Sequence, residues 1–200
     1  MDFLRLLAAG RCGALDTFFS GLTYFGSEIA FMAAALLIFW CVDKRQGYYV
    51  FLVGALGTVC NQFLKLAFRI PRPWVLDPDF QIVEAARADA TGYSFPSGHT
   101  QNIVGTTASI FASRKEAWVR IVCVVLMLLV PFSRMYLGVH TPLDVGVAFL
   151  TALALAAALY PAFRTESAAK KTVPWLLLGV AVLCGGYLIY ASSLARCDWP

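Results

Sequence analysis

Apolar residues fall in long runs that short charged connections separate. Six runs, at positions 18–42, 47–70, 98–112, 118–133, 141–163 and 173–194, are apolar over most of their length. A helix needs about 20 residues to cross the hydrocarbon core of a membrane, and a helix satisfies its own backbone hydrogen bonds there. The pattern therefore predicts an all-α polytopic membrane protein with six transmembrane helices.

The composition agrees with this pattern. Hydrophobic residues make up 60% of the chain and charged residues 14%, against about 25% charged residues in a typical soluble protein. The net charge of +4 is spread along the chain, so we do not expect nucleic acid as a partner. We interpret residues 1–200 as one membrane domain, in which 1–17 form an interfacial lead-in that stays on the mature protein.

The short connections predict which side of the membrane each end occupies. The connections 43–46, 113–116 and 164–171 are basic and fall on one side if each run crosses once. The positive-inside rule makes that side cytoplasmic. Both termini, the long loop 71–97 and the turn 134–140 are then extracytoplasmic, and a cell membrane, the inner membrane of a bacterium, is the expected location.

Three groups of polar residues stand at this outer side. The first is Lys65, Arg69 and Arg72, whose spacing of three or four residues predicts a shared helix face at the outer end of the second helix. Basic residues in a membrane protein concentrate on the cytoplasmic side. A cationic group on the opposite side therefore indicates an anion that the protein has to hold.

The second group precedes the third apolar run. Pro96, Ser97 and Gly98 suit the start of a helix, and the free N–H groups of a helix N-terminus bind anions. A capping turn alone would explain the serine and the glycine. It would not explain His99 beside them.

The third group joins the fourth and fifth runs. Arg134 is followed by His140 and Asp144, which at i and i+4 are expected on one helical face. An isolated carboxylate within a membrane is costly, so Asp144 needs a partner, and His140 is near. A carboxylate on one imidazole nitrogen makes the other nitrogen a better nucleophile or base.

Together these residues describe a phosphate site with a nucleophile and an acid. No Asp/Glu cluster suited to Mg²⁺ accompanies them, so we expect neither a metal nor another cofactor. The chemistry that they permit is phosphoryl transfer through a phosphohistidine. The residues alone leave open whether His99 or His140 is the nucleophile, and Asp144 only favours His140.

The chain resembles the type 2 phosphatidic acid phosphatase superfamily of membrane lipid phosphatases. Its three motifs occur in order: K-x6-R-P from Lys65 to Pro73, P-S-G-H from Pro96 to His99, and S-R-x5-H-x3-D from Ser133 to Asp144. Every motif position is matched. The three motifs reach from the second predicted helix to the fifth.

The resemblance implies a role for each motif residue. Lys65, Arg72 and Arg134 would neutralise the phosphoryl oxygens, with Ser97 and the Gly98 N–H completing the binding site. His140 would attack phosphorus, oriented by Asp144. His99 would protonate the leaving group and then activate water. The implied activity is metal-independent hydrolysis of a lipid phosphomonoester or pyrophosphate. The substrates of the family include phosphatidic acid, undecaprenyl pyrophosphate, phosphatidylglycerol phosphate and sphingoid phosphates, and the motifs do not separate these.

Other readings of the same motifs stay open. The stretch from Arg72 to Asp77 is similar to that of the glucose-6-phosphatase branch, which implies a soluble sugar phosphate as an alternative substrate. A non-catalytic lipid-phosphate binder would keep the cations without needing both histidines and Asp144. Vanadate-dependent haloperoxidases share these motifs, but they are soluble, and the apolar composition opposes that reading.

Two smaller expectations concern residues near the site. Glu28 lies at a similar predicted depth to Asn61, and we expect it to pair with Asn61, Gln62 or Lys65, because an unpaired acid there is costly. Cys12 and Cys197 fall on the same outer side, where a disulfide between them is a hypothesis.

Overall fold

The structure is a computed structural model that describes residues 1–195. Over that range the chain is helical, without a β-strand, which confirms the predicted all-α class. The helices are α1 Asp2–Ala9, α2 Gly13–Thr23, α3 Glu28–Cys41, α4 Lys44–Phe68, α5 Pro73–Leu76, α6 Gly98–Ser113, α7 Ala117–Tyr136, α8 Pro142–Leu159 and α9 Glu166–Ala195, and 3-10 turns occupy Tyr24–Gly26, Glu84–Ala86 and Tyr160–Phe163.

Fewer helices than six are long and apolar enough to cross a membrane. Within the described residues four segments qualify, built on α4, α7, α8 and α9, and a fifth results if α2 and α3 together count as one crossing. Helix α6 has 16 residues, or about 24 Å of length, which is short of the roughly 30 Å core. Six crossings and the orientation of the termini therefore stay predictions.

The first apolar run is not the single helix that we expected over 18–42. Helix α2 ends at Thr23, and Ser27 caps α3 by accepting a hydrogen bond from the Ala30 N–H at 3.1 Å. The two axes differ by 52°. Gly26 in this break lies against α6, where an added Cβ would come within 2.7 Å of the His99 carbonyl oxygen. The break thus lets the start of α6 approach the first helices.

Helix α6 lies at the centre of the bundle. It packs against α3, α4, α7 and α8, and residues 100–109 are all buried, although many are polar. The hydroxyls of Thr107 and Ser109 donate to the carbonyls of Ile103 and Gly105, one turn earlier. Such bonds satisfy hydroxyl groups inside a helix, so polar side chains are accommodated in the interior.

The loop 71–97 is anchored on the bundle. Its Phe80 and Ile82 side chains are buried in one apolar cluster with Tyr136. The guanidinium of Arg11, which follows α1, donates to the carbonyls of Gln81 at 2.6 Å and of Tyr136 at 2.9 Å. The loop is therefore a packed cover, although its composition is that of a soluble segment.

The two ends of the bundle collect different connections. The basic connections meet at one end, where Arg45, Arg114 and Arg164 line a common cavity, while the three motif groups meet at the other. This confirms that the motif groups share one end, which we call the outer end, and the basic end is the inner end. Of the suggested disulfide, Cys197 lies outside the described residues.

Candidate active site

Five elements bring the motif residues together at the outer end: the end of α4, the loop 71–97, the start of α6, the end of α7 and the turn into α8. They enclose a cavity of about 570 Å³. Of the eight predicted site residues, six line it: Lys65, Arg72, Gly98, His99, Arg134 and His140. Ser97 and Asp144 are buried directly behind its wall.

Arg72 is fixed by backbone carbonyls from two segments. Its Nε donates to the Gly92 carbonyl at 3.0 Å and Nη2 to the Thr91 carbonyl at 2.7 Å. Its Nη1 lies 3.1 Å from the Val139 carbonyl oxygen and 2.9 Å from Nε2 of His140. Since these carbonyls are neutral, they orient the guanidinium without compensating its charge.

The predicted face of three cations is only partly formed. Lys65 lines the cavity and donates to the Tyr93 carbonyl at 2.7 Å. Arg69, in contrast, ends α4 with a left-handed backbone (φ 48°) and turns back to the Leu66 carbonyl. The helical conformation is disfavoured for a residue that precedes proline. Pro71 therefore ends the helix before Arg72. The prediction that the three cations share one helix face was therefore wrong. The loop, and not the helix, places Arg72 in the site.

His140 and Asp144 are adjacent, although not by the helix spacing that we expected. Helix α8 begins at Pro142, so His140 precedes it and Asp144 is its third residue. The Asp144 carboxylate accepts from the Thr141 N–H at 2.7 Å in a capping box. Its Oδ2 lies 3.5 Å from Nδ1 of His140, which is longer than a well-formed hydrogen bond. A helix cap, and not a helix face, holds the pair.

The surroundings of His140 favour a neutral ring. Burial, with Arg72 and Arg134 nearby, lowers the pKa of His140 well below its usual range, although Asp144 opposes this shift. An Arg72 guanidinium can only donate, so the Nε2 atom that it contacts is an acceptor. The ring proton then lies on Nδ1, facing Asp144. Nε2 keeps the lone pair that a nucleophile needs.

Arg134 is the most deeply buried cation at the outer end, with an exposed fraction of 0%. Its Nη1 donates to the Thr23 hydroxyl at 2.8 Å. Its Nε and Nη2 have no hydrogen-bond partner among the described residues. An unsatisfied buried guanidinium is costly, which indicates that an anion is the missing partner.

The start of α6 presents His99 and Gly98 to the cavity. Ser97 is the N-cap, and its hydroxyl accepts from the Thr100 N–H at 3.4 Å and from the Thr100 hydroxyl at 3.0 Å. Nε2 of His99 has no partner in the described part of the chain. The helix start therefore offers one imidazole and free N–H groups, while the Ser97 hydroxyl serves the cap.

The three cations of the motifs are without counter-ions in the described part of the chain. Among residues 1–195, no ion pair involves Lys65, Arg72 or Arg134. Their neighbours are carbonyl groups, a hydroxyl and the two imidazoles. In a site with little water, such cations attract an anion far more strongly than they would in solvent.

Two supporting residues were missed from the sequence. The Ser94 hydroxyl donates to Oδ2 of Asp144 at 2.6 Å, and Thr23 holds Arg134. Ser94 stands in the same short motif region as Ser97, and nothing in the spacing distinguishes their roles. Thr23 lies within an apolar run and gives no signal at all.

The fold and the site define a class, a helical membrane protein with buried cations and two histidines at one end of the bundle. Within that class the chain belongs to the PAP2 superfamily, whose family model matches residues 46–168. This range contains the three motifs. The family resemblance inferred from the motifs is thereby confirmed.

Similar proteins include two named for one lipid diphosphate. Undecaprenyl-diphosphatase BcrC of Bacillus subtilis is 34% identical over 128 residues, which cover 60% of this chain and 63% of that protein. An undecaprenyl-diphosphatase of Sulfolobus acidocaldarius is 26% identical over 151 residues, covering 75% and 71%. The chain thus spans just under two thirds of the length of the BcrC relative.

A solved structure has the same fold. Aquifex aeolicus LpxE superposes with a TM-score of 0.70 at 26% identity, and the match covers 80% of this chain and 93% of that one. The bundle arrangement described above is therefore shared with a solved structure of similar length.

Proposed function

We propose that the protein hydrolyses the phosphorylated headgroup of a membrane lipid, with His140 as the nucleophile. The observation that carries this proposal is the setting of His140, whose Nε2 meets Arg72 while its Nδ1 faces Asp144. That arrangement fixes the tautomer and leaves the lone pair on the nitrogen that faces the cations.

The phosphoryl group would be bound by the cations that lack counter-ions. Arg134 offers two unpartnered nitrogens, and Lys65, Arg72 and the Gly98 N–H complete the site. Since Arg72 Nη1 rests on His140 Nε2 at 2.9 Å, binding would transfer that donor from the imidazole to a phosphoryl oxygen. The lone pair of His140 Nε2 would then become available for attack when the phosphate binds.

Two displacements complete the reaction. His140 Nε2 forms a bond to phosphorus while the bond from phosphorus to the leaving oxygen breaks, and His99 gives that oxygen its proton. His99 then takes a proton from water, the water oxygen attacks phosphorus, and the bond to His140 breaks to release phosphate. Asp144 holds the imidazole in place through both steps, and the proposed mechanism uses no metal ion.

A lipid substrate is favoured by the shape of the cavity. Besides the motif residues its wall includes Tyr24 and Ile29, which are exposed on the outside of the bundle, where lipid would lie. A headgroup can enter while its chain stays in the bilayer. Trp74 gives no support to a sugar site, because its ring lies against the guanidinium groups of Arg72 and Arg87.

The proposed sidedness follows from the basic connections at the inner end. Single cysteines at Asp79 in the outer loop and at Lys115 in an inner connection, each in a cysteine-free background, test it with a membrane-impermeant thiol reagent on intact cells. Labelling of residue 79 alone supports an extracytoplasmic site, and labelling of residue 115 alone contradicts it.

Phosphate release by purified protein in detergent tests the activity itself. The panel is undecaprenyl diphosphate, phosphatidylglycerol phosphate, phosphatidic acid, sphingosine phosphate and glucose 6-phosphate, each with and without EDTA. We expect lipid turnover that survives EDTA and falls at least about 10³-fold in His140→Ala. Binding without turnover would indicate a lipid-phosphate binder, preference for glucose 6-phosphate a sugar phosphatase, and turnover that survives the substitution another nucleophile.

A further inference from the structure

A layer of amide side chains lies next to the histidines, inside the bundle. Asn61 precedes Lys65 by four residues and so shares its face of α4, and Gln101 follows His99 by two residues on α6. Helices α4 and α6 pack directly on each other, and both amide residues line the cavity. Their exposed fractions are 3% and 1%. This wall of the cavity is therefore polar. A wall that contacted only a hydrocarbon chain would be expected to be apolar.

These two amides are not used to hold the helices together. Asn61 Nδ2 and Gln101 Nε2 have no hydrogen-bond partner in the described part of the chain. Asn102 is different, because its amide donates to the Gly26 carbonyl at 3.3 Å and accepts from the Thr58 hydroxyl at 3.5 Å. Buried amides without partners are costly, which indicates a hydrogen-bonding ligand that the cavity receives.

Helix α4 makes room for one of these amides. Residue 57 is glycine, and a Cβ there would collide with the Gln101 side chain. The Gln101 Nε2 atom lies nearest to that Cβ position, so Gly57 provides the space in which this amide packs against α4.

The position of the leaving group relative to the amides is inferred from the proposed function, on which this step rests. In-line attack by His140 places the leaving oxygen on the opposite side of phosphorus, where His99 would protonate it. Asn61 and Gln101 line the same cavity as His99 and His140. The atoms that follow the leaving oxygen would therefore meet the two amides.

A second phosphate is the leaving group that matches these donors. When a hydrocarbon chain follows a monophosphate directly, methylene groups meet the amides and leave them unpaired. A diphosphate instead presents the non-bridging oxygens of its leaving phosphate, which accept hydrogen bonds. The Glu28 carboxylate lines the cavity from α3 and would repel a phosphate beside it, so donors are needed on α4 and α6 to hold the leaving phosphate.

We propose that Asn61 and Gln101 bind the leaving phosphate of a lipid diphosphate and give the site its preference for diphosphates over monophosphates. His140 forms its bond to the terminal phosphorus, the bridging P–O bond breaks, and the lipid monophosphate leaves with the proton from His99. Water then releases inorganic phosphate from His140.

The test measures kcat/KM of the full chain in detergent for undecaprenyl diphosphate and for undecaprenyl phosphate, which carry the same chain. The variants Asn61→Leu and Gln101→Met remove each amide at similar volume. We expect each to lower kcat/KM for the diphosphate roughly 10- to 100-fold, the size of a lost hydrogen bond to a charged group, and to change the monophosphate value less than about threefold. Gln46→Met is the matched control, since Gln46 is a buried amide at the inner end of α4.

The possible results separate this inference from the proposed function. Equal losses on both substrates, an unchanged ratio, or a wild-type protein that prefers the monophosphate would overturn the role of the amides while leaving the phosphatase activity intact. A shift in the ratio by Gln46→Met would overturn it too, as a general effect of losing a buried amide. Absence of any turnover by the wild type would contradict the proposed function and, with it, this inference.

Discussion

Both ends of the bundle carry basic residues, but these residues differ in burial and in ion pairing. At the outer end Arg134 has an exposed fraction of 0% and Arg72 of 5%. At the inner end the Arg114 side chain is 34% exposed and pairs with Glu116 at 3.5 Å. Arg72 and Arg134 are withdrawn from solvent and have no ion-pair partner among the described residues, whereas Arg114 remains near water.

This difference separates a site from a topological signal. Exposed charges are screened by salt and solvent, and their pairs contribute little. Buried cations interact far more strongly with an anion, and leaving them unpaired is costly. The same residue types therefore orient the chain at one end and prepare a phosphate site at the other.

The largest expected effect of a matched pair of variants comes from the helix-capping carboxylates. Asp144 caps α8 at the outer end, and Asp43 caps α4 at the inner end by accepting from the Gln46 N–H at 2.9 Å. We expect Asp144→Asn to lower kcat about 10³- to 10⁴-fold, because an amide no longer fixes the His140 tautomer. Asp43→Asn keeps a good cap and is expected to leave kcat unchanged.

Equal activity in these two variants would contradict the positioning role of Asp144. The rates are measured as phosphate release at saturating substrate. Thermal unfolding of each variant serves as the check that the bundle is intact.

Arginine replacements sharpen the comparison further. Arg134→Lys keeps the positive charge but loses the paired N–H donors of the guanidinium. We therefore expect kcat to fall about 10²- to 10³-fold, as for removal of one transition-state donor. Arg114→Lys at the inner end is expected to stay within twofold of the wild type. A comparable loss in both would mean that burial does not distinguish the two groups of cations.

A serine pair gives a smaller effect. Ser94→Ala removes the hydroxyl that donates to Asp144 at 2.6 Å, and a lost hydrogen bond to a charged group predicts roughly a 10-fold fall in kcat. Ser113→Ala removes a hydroxyl that donates to the Ser109 carbonyl at the inner end and is expected to have no effect on kcat. A full-rate Ser94→Ala enzyme would assign Ser94 to folding alone.

The smallest effect concerns an exposed pair at the outer end. The hydrogen bond from Arg5 at 2.6 Å lowers the pKa of Asp77 below its usual value. Its stabilising contribution is therefore present above the unfolded pKa of about 3.9 and is lost as the pH falls through the lower folded value. Asp77→Asn should remove that part of the acid dependence of the melting temperature and leave activity at pH 7 unchanged. An activity loss would show that the outer loop depends on this pair.

The sequence was sufficient for the grouping of the site but not for its local geometry. Motif spacing and the basic connections placed Lys65, Arg72, His99 and His140 at one end, because hydropathy and charge determine which ends of the helices meet. The spacing of His140 and Asp144 was taken as a helix face, whereas Pro142 starts the helix after His140. Helix periodicity does not apply to His140, because this residue lies two positions before the helix begins.

Other details depend on tertiary contacts that a single sequence does not contain. The bend between α2 and α3 allows the close approach of Gly26 to His99. Gly26, Ser27 and Glu28 are typical of a helix start, but the continuous hydropathy of the first apolar run concealed it. Ser94 and Thr23 act through partners 50 and 111 residues away. Such hydrogen bonds become visible only when the helices are assembled.

Trapping the covalent intermediate tests the central claim most directly. His99→Ala is mixed with p-nitrophenyl phosphate, whose leaving group needs no proton from the enzyme, and is quenched in alkali, in which phosphohistidine survives. Without a base to activate water, the intermediate should accumulate, and peptide mass spectrometry should find one phosphoryl group on His140. A phosphoryl group on another residue, or none in a variant whose wild type turns the substrate over, would contradict His140 as the nucleophile.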